Sequence, residues 1–220
     1  MEDTEESLVA LHAFRSAWKR CVNAYSERLV NSERCLQAML YHHLRGFLPK
    51  DYNIYVEASI KIPATSTDVL ADLKSKVIVD TLICHGTDIV AAIEVKYGPK
   101  GAPESKAVQK DLKTLSLIKN RRYPGNRIDI KLSRYLGDEE PVALSINKTR
   151  KLIFAAFLRK SNERFTADQF WKSHRPNDGL WKDHQNPANL AVILAKTHSD
   201  GAVCIEEFGP AIKRMDGQRK

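Results

Sequence analysis

The stretch KVIVDTLICHGTDIVAAIEVKY, residues Lys76 to Tyr97, decides the fold of this 220-residue chain. It contains two runs rich in β-branched and other apolar residues, Lys76 to Cys84 and Ile89 to Tyr97, which are typical of strands. The four residues HGTD between the runs include the Gly and Asp that are expected in a hairpin connection. The stretch therefore predicts a β-hairpin whose two strands are largely buried.

Three ionisable residues interrupt these apolar strands: Asp80 in the first and Glu94 and Lys96 in the second. Side chains alternate between the faces of a strand, so Glu94 and Lys96 must share a face. Burying such groups is costly unless they are paired or bind a metal. Two explanations stay open. Lys96 forms a structural ion pair with Glu94 or Asp80, or the two carboxylates bind a hard divalent cation while Lys96 lies beside the metal-bound water and a scissile phosphate.

The metal hypothesis makes a prediction about the pairing of the two strands. Asp80 and Glu94 can share a metal only if both side chains emerge on one face, which requires Asp80 to oppose either Ala92 or Glu94 itself. The connection then holds an odd number of residues unless a bulge intervenes. Pairing of Asp80 with Ile93 would place the two acids on opposite faces and exclude a shared site.

The flanking segments predict a mixed α/β chain without internal repeats. Apolar residues recur at helical spacing in two N-terminal segments, the second of which is capped by Asn31 or Ser32 and ended by Pro49. Alternating or continuous apolar runs predict further strands. The predicted helices are Leu8 to Leu29, Glu33 to Phe47, a segment from about Lys106, and Thr166 to His174, and the additional strands are Asn53 to Ile62, Lys151 to Leu158, Leu190 to Thr197 and Ala202 to Phe208.

The spacing of Asp80 from Glu94-Val95-Lys96 resembles the signature of the PD-(D/E)XK, or restriction-endonuclease-like, nuclease superfamily, although Val79 stands where the family name has proline. The resemblance implies a mixed β-sheet flanked by helices with an αβββαβ core over about residues 31–158. An N-terminal helix, 5–30, and a C-terminal extension with added strands, 159–220, complete a single domain over residues 1–220. The resemblance also implies hydrolysis of phosphodiester bonds in DNA, less often RNA. Asp80 and Glu94 would hold Mg²⁺ or Mn²⁺, and Lys96 would assist the attacking water.

Further residues are candidates for the same site. Glu33 falls on the apolar stripe of its predicted helix and should face the sheet, where many members of that superfamily place an additional acid, but a carboxylate in the first turn also interacts favourably with the helix dipole. Glu57 is interpreted as solvated. The helix after the hairpin carries candidates for contacts with the nucleic-acid backbone, with ordinary surface side chains as the alternative: Lys106, Gln109, Lys110 and Lys113.

Charge supports a polyanionic partner. The formal net charge is +8, and residues 98–134 carry ten basic against three acidic side chains, a net charge of +7. A basic segment on a nearly neutral body is typical of a protein that binds DNA or RNA, with a lysine-rich solvated surface as the alternative. The four separated cysteines indicate neither a zinc module nor a disulfide framework. The acidic start and the lack of a long apolar run favour a cytoplasmic protein that does not bind a membrane.

The leading hypothesis is a Mg²⁺-dependent endonuclease, a hydrolase in which Asp80, Glu94, Lys96 and Glu33 form the catalytic site. Two alternatives stay open: a nucleic-acid-binding protein on a nuclease-like fold in which Lys96 is only an ion-pair partner, and an unrelated α/β protein whose basic segment binds an acidic protein. The nuclease hypothesis allows a homodimer, since duplex-cutting enzymes of this kind often pair two sites.

Overall fold

The structure is a computed structural model that describes residues 4–61, 76–98, 105–120, 127–131, 142–158, 166–174, 190–197 and 203–209. These ranges contain four helices and seven strands. In chain order they are α1 Glu5–Ser26, α2 Glu33–Phe47, β1 Tyr52–Lys61, β2 Lys76–His85, β3 Asp88–Gly98, α3 Ser105–Asn120, β4 Arg127–Lys131, β5 Val142–Leu158, α4 Ala167–His174, β6 Leu190–Thr197 and β7 Val203–Phe208.

The strands form one mixed sheet in the order β3-β2-β1-β4-β5-β6-β7, with a further pairing between β3 and β5. β1, β2 and β3 form an antiparallel meander. After α3 the chain returns as β5, which runs parallel to β3, and β6 runs parallel to β5. β4 joins β1 to the first part of β5, so that β1 to β5 close into a ring. A mixed sheet flanked by helices, as predicted, is confirmed.

Helices cover both faces of the sheet. One buried apolar cluster unites the sheet with α1 and α2, and a second unites it with α3 and α4. This arrangement explains the continuous apolar run in the second half of β5, because a strand covered on both faces has no solvated side. The first residues of α2 are fixed by Ser32, whose Oγ accepts a hydrogen bond from the Cys35 backbone N–H at 3.2 Å, as the predicted cap requires.

The pairing of β2 with β3 confirms the register that a shared site requires. Thr81 pairs with Ile93 and Leu82 with Ala92, so Asp80 and Glu94 are the next opposed residues. The connection is a two-residue turn, which by itself would not oppose the two acids. A bulge between the Ile83–Ala91 and Cys84–Ile89 pairs adds one residue to β3 and so produces the same register as an odd-numbered loop. Both acids therefore leave the hairpin on the same face.

Three features of the fold differ from the sequence prediction. The basic segment after α3, expected to be a loop, contains β4, whose Ile128 and Ile130 are buried. β5 begins at Val142 rather than Lys151, because its first part pairs with β4. β1 does not alternate strictly, because Glu57 has a left-handed backbone conformation with φ +50°. The interruption lies beside Asp80 on the neighbouring strand β2.

The predicted C-terminal extension is described only in part. α4 packs on the sheet, while β6 and β7 extend it beyond β5. The predicted loop after β1 lies outside the described residues over 62–75, and so does the end of the chain after Gly209. In the part of the chain that the structure describes, no helix combines the length and the apolar character needed to cross a membrane.

The turn between β2 and β3 supplies a test of how the hairpin is held. Gly86 has φ +57° and an added Cβ would meet nothing within 4 Å, so Gly86→Ala introduces backbone strain without a clash. We expect this variant to lower the free energy of unfolding by about 1 kcal/mol.

Gly46→Ala is the matched control, because Gly46 lies within α2 and is equally open. There alanine should raise the free energy of unfolding by up to about 1 kcal/mol. Equal effects at both glycines, measured by urea denaturation, would contradict the turn assignment.

Candidate active site

Asp80 and Glu94 lie together on the face of the hairpin that is covered by α3. Glu94 is only 3% exposed, and its Oε1 has no hydrogen-bond partner among the described residues. Asp80 is partly buried, and its Oδ2 accepts the Val95 backbone N–H at 2.8 Å. This bond ties the Asp80 carboxylate to β3 just beyond the last regular β2–β3 pair. The two acids that the sequence singled out are thus opposed and adjacent.

Lys96 lies between two further carboxylates. Its Nζ is 3.3 Å from Glu33 Oε1 and 3.0 Å from Asp111 Oδ2, and its side chain is 17% exposed. Neither partner is the one expected from the sequence, which placed Lys96 in a structural pair with Glu94 or Asp80. The lysine is held from both layers of the fold, because α2 supplies Glu33 and α3 supplies Asp111.

Glu33 does face the sheet, as its position on the helical stripe predicted. Besides contacting Lys96, its Oε2 accepts the Tyr97 backbone N–H at 3.2 Å. The Tyr97 hydroxyl in turn donates to the Val30 carbonyl at 3.3 Å. The two hydrogen bonds of Tyr97 therefore join the end of β3 to the start of α2. Glu33 also occupies the first turn of α2, as the helix-dipole interpretation expected.

Asp111 is the site residue that the sequence analysis missed. It lies among the lysines and polar residues at the start of α3, yet it is only 7% exposed. The signal was present in the helical spacing: Asp111 follows Val108 by three residues and precedes Leu115 by four. All three side chains therefore belong to the stripe of α3 that faces the sheet.

Burial and mutual repulsion control the protonation of the acids. Burial raises the pKa of Glu94 well above its ordinary value, and the nearby charges of Asp80 and Asp111 raise it further. Burial also raises the pKa of Asp80, although the Val95 N–H and the charge of Lys96 partly offset this effect. The hydrogen bond between the two carboxyl groups raises the pKa of Glu94 and lowers that of Asp80, so the proton of the pair lies on Glu94. Two adjacent carboxylates cannot both stay ionised without a counter-charge.

The pKa values of Lys96 and Asp111 are both raised, but for opposite reasons. Burial lowers the pKa of Lys96, but the charges of Asp111, Glu33 and Asp80 outweigh burial and raise it above its ordinary value. Burial raises the pKa of Asp111 to about 6 against the opposing effect of Lys96. Lys96 is therefore a permanent cation at neutral pH and does not act as a proton acceptor.

The donor set suits a hard divalent cation. Within the described ranges, no group of three or more His, Cys, Asp or Glu side chains is arranged to hold a metal ion as it stands. The unpartnered buried Oε1 of Glu94, beside the Asp80 carboxylate, is nevertheless what a cation site requires, since Mg²⁺ and Mn²⁺ are bound by one or two carboxylates and otherwise keep water. A divalent cation and the Glu94 proton would compete for the same oxygens.

The predicted nucleic-acid-binding residues lie on the outer side of α3. Lys106, Gln109 and Lys110 are exposed, and Lys113 is half-buried, whereas Val108, Leu112 and Leu115 are buried. Asp111, which contacts Lys96 of β3, belongs to the same helix as this basic surface. Glu57 is exposed, as interpreted from the sequence.

Comparisons with protein-family models, with curated proteins and with solved structures find no significant match to this chain. The chemistry of the site must therefore follow from its own residues.

The raised pKa of Glu94 predicts how stability depends on pH. The folded protein holds a proton that the unfolded chain releases in the ordinary carboxyl range, so the free energy of unfolding falls as the pH rises above that range. Glu94→Gln removes this loss. Without divalent cations, we expect the variant to melt above the wild type at pH 8 by about 3 °C or more, the shift that corresponds to about 1 kcal/mol in a chain of this size.

The same comparison near pH 4 should show little difference, because Glu94 is then protonated in both states. Glu57→Gln, the same substitution at an exposed position on the neighbouring strand, serves as the control and should leave the melting temperature unchanged at both pH values. A Glu94→Gln variant that melts below the wild type at pH 8 would contradict the shared-proton description of the site.

Proposed function

We propose that this protein is a metal-dependent nuclease of the PD-(D/E)XK type, which hydrolyses phosphodiester bonds of nucleic acid, most readily DNA. The observation that carries the proposal is the unpartnered, buried Oε1 of Glu94 opposite Asp80. A buried carboxylate oxygen without a partner is costly to the fold, and a divalent cation bound by both acids would remove that cost.

The topology around the site supports the proposal. The candidate residues lie on a three-stranded antiparallel meander that is followed by α3 and by β5 parallel to β3. Apart from β4, which is inserted between α3 and β5, this order is the one expected for the αβββαβ core that the resemblance implies. The residues also cluster towards the carboxyl end of β3, the end at which sheets with parallel neighbours commonly bind ligands.

The roles of the residues follow from their charges. Asp80 and Glu94 would hold Mg²⁺ or Mn²⁺, which when bound polarises a phosphate and makes a water more acidic. Lys96, kept cationic by its carboxylate partners, would stabilise the negative charge that develops on the phosphate. Glu33 orients Lys96 through the 3.3 Å contact and fixes the end of β3 through the Tyr97 N–H.

One observation favours the alternative of a nucleic-acid-binding protein without catalysis. Lys96 is already paired with Glu33 and Asp111, which is the arrangement of a structural ion pair. The unpartnered oxygen of Glu94 is not explained by that alternative, because Lys96 contacts neither of its carboxylate oxygens among the described interactions.

Cleavage assays test the proposal directly. We expect degradation of plasmid or single-stranded DNA that requires Mg²⁺ or Mn²⁺ and stops when the metal is chelated. Asp80→Ala and Glu94→Ala should abolish it, and Lys96→Met should lower the rate by a factor of about 10² to 10³, the loss typical of removing one group that stabilises transition-state charge.

Matched controls separate these effects from a general loss of structure. Glu27→Ala and Lys172→Met alter exposed side chains outside the site and should leave the rate unchanged. Metal-independent binding of DNA or RNA without cleavage of either would favour the binding protein over the nuclease.

The outer face of α3 generates a prediction about salt dependence. Lys106, Lys110 and Lys113 would neutralise phosphates and release counterions, so replacing all three by Gln should lower the slope of log affinity against log salt by up to about 3. Fluorescence anisotropy with labelled duplex DNA measures the slope.

A control triple variant at the exposed lysines Lys19, Lys50 and Lys172 removes the same charge elsewhere. A slope that changes equally in both variants would place the binding surface away from α3.

A further inference from the structure

The ion pair between Lys96 and Asp111 bridges the sheet and α3 at the edge of the candidate metal site. Glu94, the proposed ligand, lies two residues before Lys96 on the same face of β3, so the ammonium and a bound divalent cation would be close neighbours. Two neighbouring positive charges repel each other strongly where water is largely excluded. The lysine therefore needs a counter-charge of its own if both cations are to occupy the site.

Two carboxylates on the side of Lys96 provide that counter-charge. Glu33 is 38% exposed in its side chain, whereas Asp111 is 10% exposed and makes the shorter contact, 3.0 Å against 3.3 Å. Electrostatic attraction is stronger for the less exposed pair, because solvent screens it less. Asp111 is thus the closer and less screened carboxylate, while Glu33 is the partner that accepts a hydrogen bond from the ammonium.

Docking of α3 onto the sheet does not by itself explain a buried aspartate. Val108, Leu112 and Leu115 already supply an apolar stripe with no exposed surface. A buried ion pair at such a position is commonly no more stabilising than well-packed apolar side chains of similar volume. The arrangement favours a functional reason for the carboxylate.

We propose that Asp111 is a positioning residue, which together with Glu33 holds Lys96 at the reacting phosphate while a divalent cation occupies Asp80 and Glu94. This inference rests on the proposed function. Asp111 touches neither metal nor substrate in this scheme and acts only through Lys96. The role also links the basic outer surface of α3 to the catalytic lysine through a single helix.

The test compares Asp111→Asn and Asp111→Leu with the wild type in steady-state cleavage with Mg²⁺. Both variants should lower kcat by about a hundredfold, the loss expected when a reacting group is misplaced by about 1 Å, while KM for DNA stays unchanged. Asp111→Glu should recover part of the rate. Asp168→Asn is the matched control, since Asp168 forms an ion pair with Lys172 on α4 at 2.6 Å, and it should alter neither constant.

A second readout does not depend on cleavage. The rate at which Lys96 is acylated by an amine-reactive ester at alkaline pH, followed by mass spectrometry, reports how often the side chain leaves its carboxylate partners, because only the neutral, accessible amine reacts. In the wild type we expect Mg²⁺ to leave this rate unchanged, and in Asp111→Asn we expect Mg²⁺ to increase it several-fold, because the repelled amine is no longer retained. The leucine variant keeps the comparison decisive if the asparagine variant does not fold.

The outcomes separate the two proposals. Mg²⁺-dependent cleavage by the wild type with an unimpaired kcat in both Asp111 variants would overturn this inference and leave the nuclease function intact. Acylation of Lys96 that is insensitive to Mg²⁺ in Asp111→Asn would also overturn it. A wild type that cleaves no nucleic acid with any divalent metal would overturn the proposed function and the inference together.

Discussion

The burial of Glu94 beside Asp80 is the constraint on which the candidate site depends. Two carboxylates at opposed positions of adjacent strands, one of them 3% exposed, cannot both be ionised without a counter-charge. In the structure Lys96 supplies it only in part, because the ammonium contacts Glu33 and Asp111 and acts on Asp80 and Glu94 through its charge alone. A proton on Glu94 therefore compensates the pair, and under the proposed function a divalent cation would take the place of that proton.

The rest of the fold serves to place these charges. The β2–β3 register opposes the two acids, and the bulge near the turn preserves it. α2 and α3 lie in different layers, on opposite sides of the sheet, yet both direct a carboxylate to Lys96 near the carboxyl end of β3. The two apolar clusters thus fix α2 and α3, and through their carboxylates these helices hold the ammonium of Lys96 from two sides.

Much of this arrangement follows from the sequence, and the exceptions have physical causes. The bounds of α2 and the facing of Glu33 follow from helical spacing. The hairpin register was only a condition of the metal hypothesis, because the sequence alone also allowed Asp80 to pair with Ile93. β4 was missed because its pairing is set by distant strands on both sides, which local sequence does not encode. Asp111 was missed because it lies among the lysines of α3, although its helical spacing places it on the buried stripe. The partner of Lys96 is a tertiary contact, and no local pattern specifies it.

Anomalous diffraction from crystals grown with Mn²⁺ tests the central claim most directly, because it locates the cation without reference to activity. We expect an anomalous peak bound by the carboxylates of Asp80 and Glu94, with Lys96 still contacting Glu33 and Asp111. Crystals that contain no Mn²⁺ at these residues, with Glu94 still beside Asp80 at a pH where free carboxyls are ionised, would contradict it.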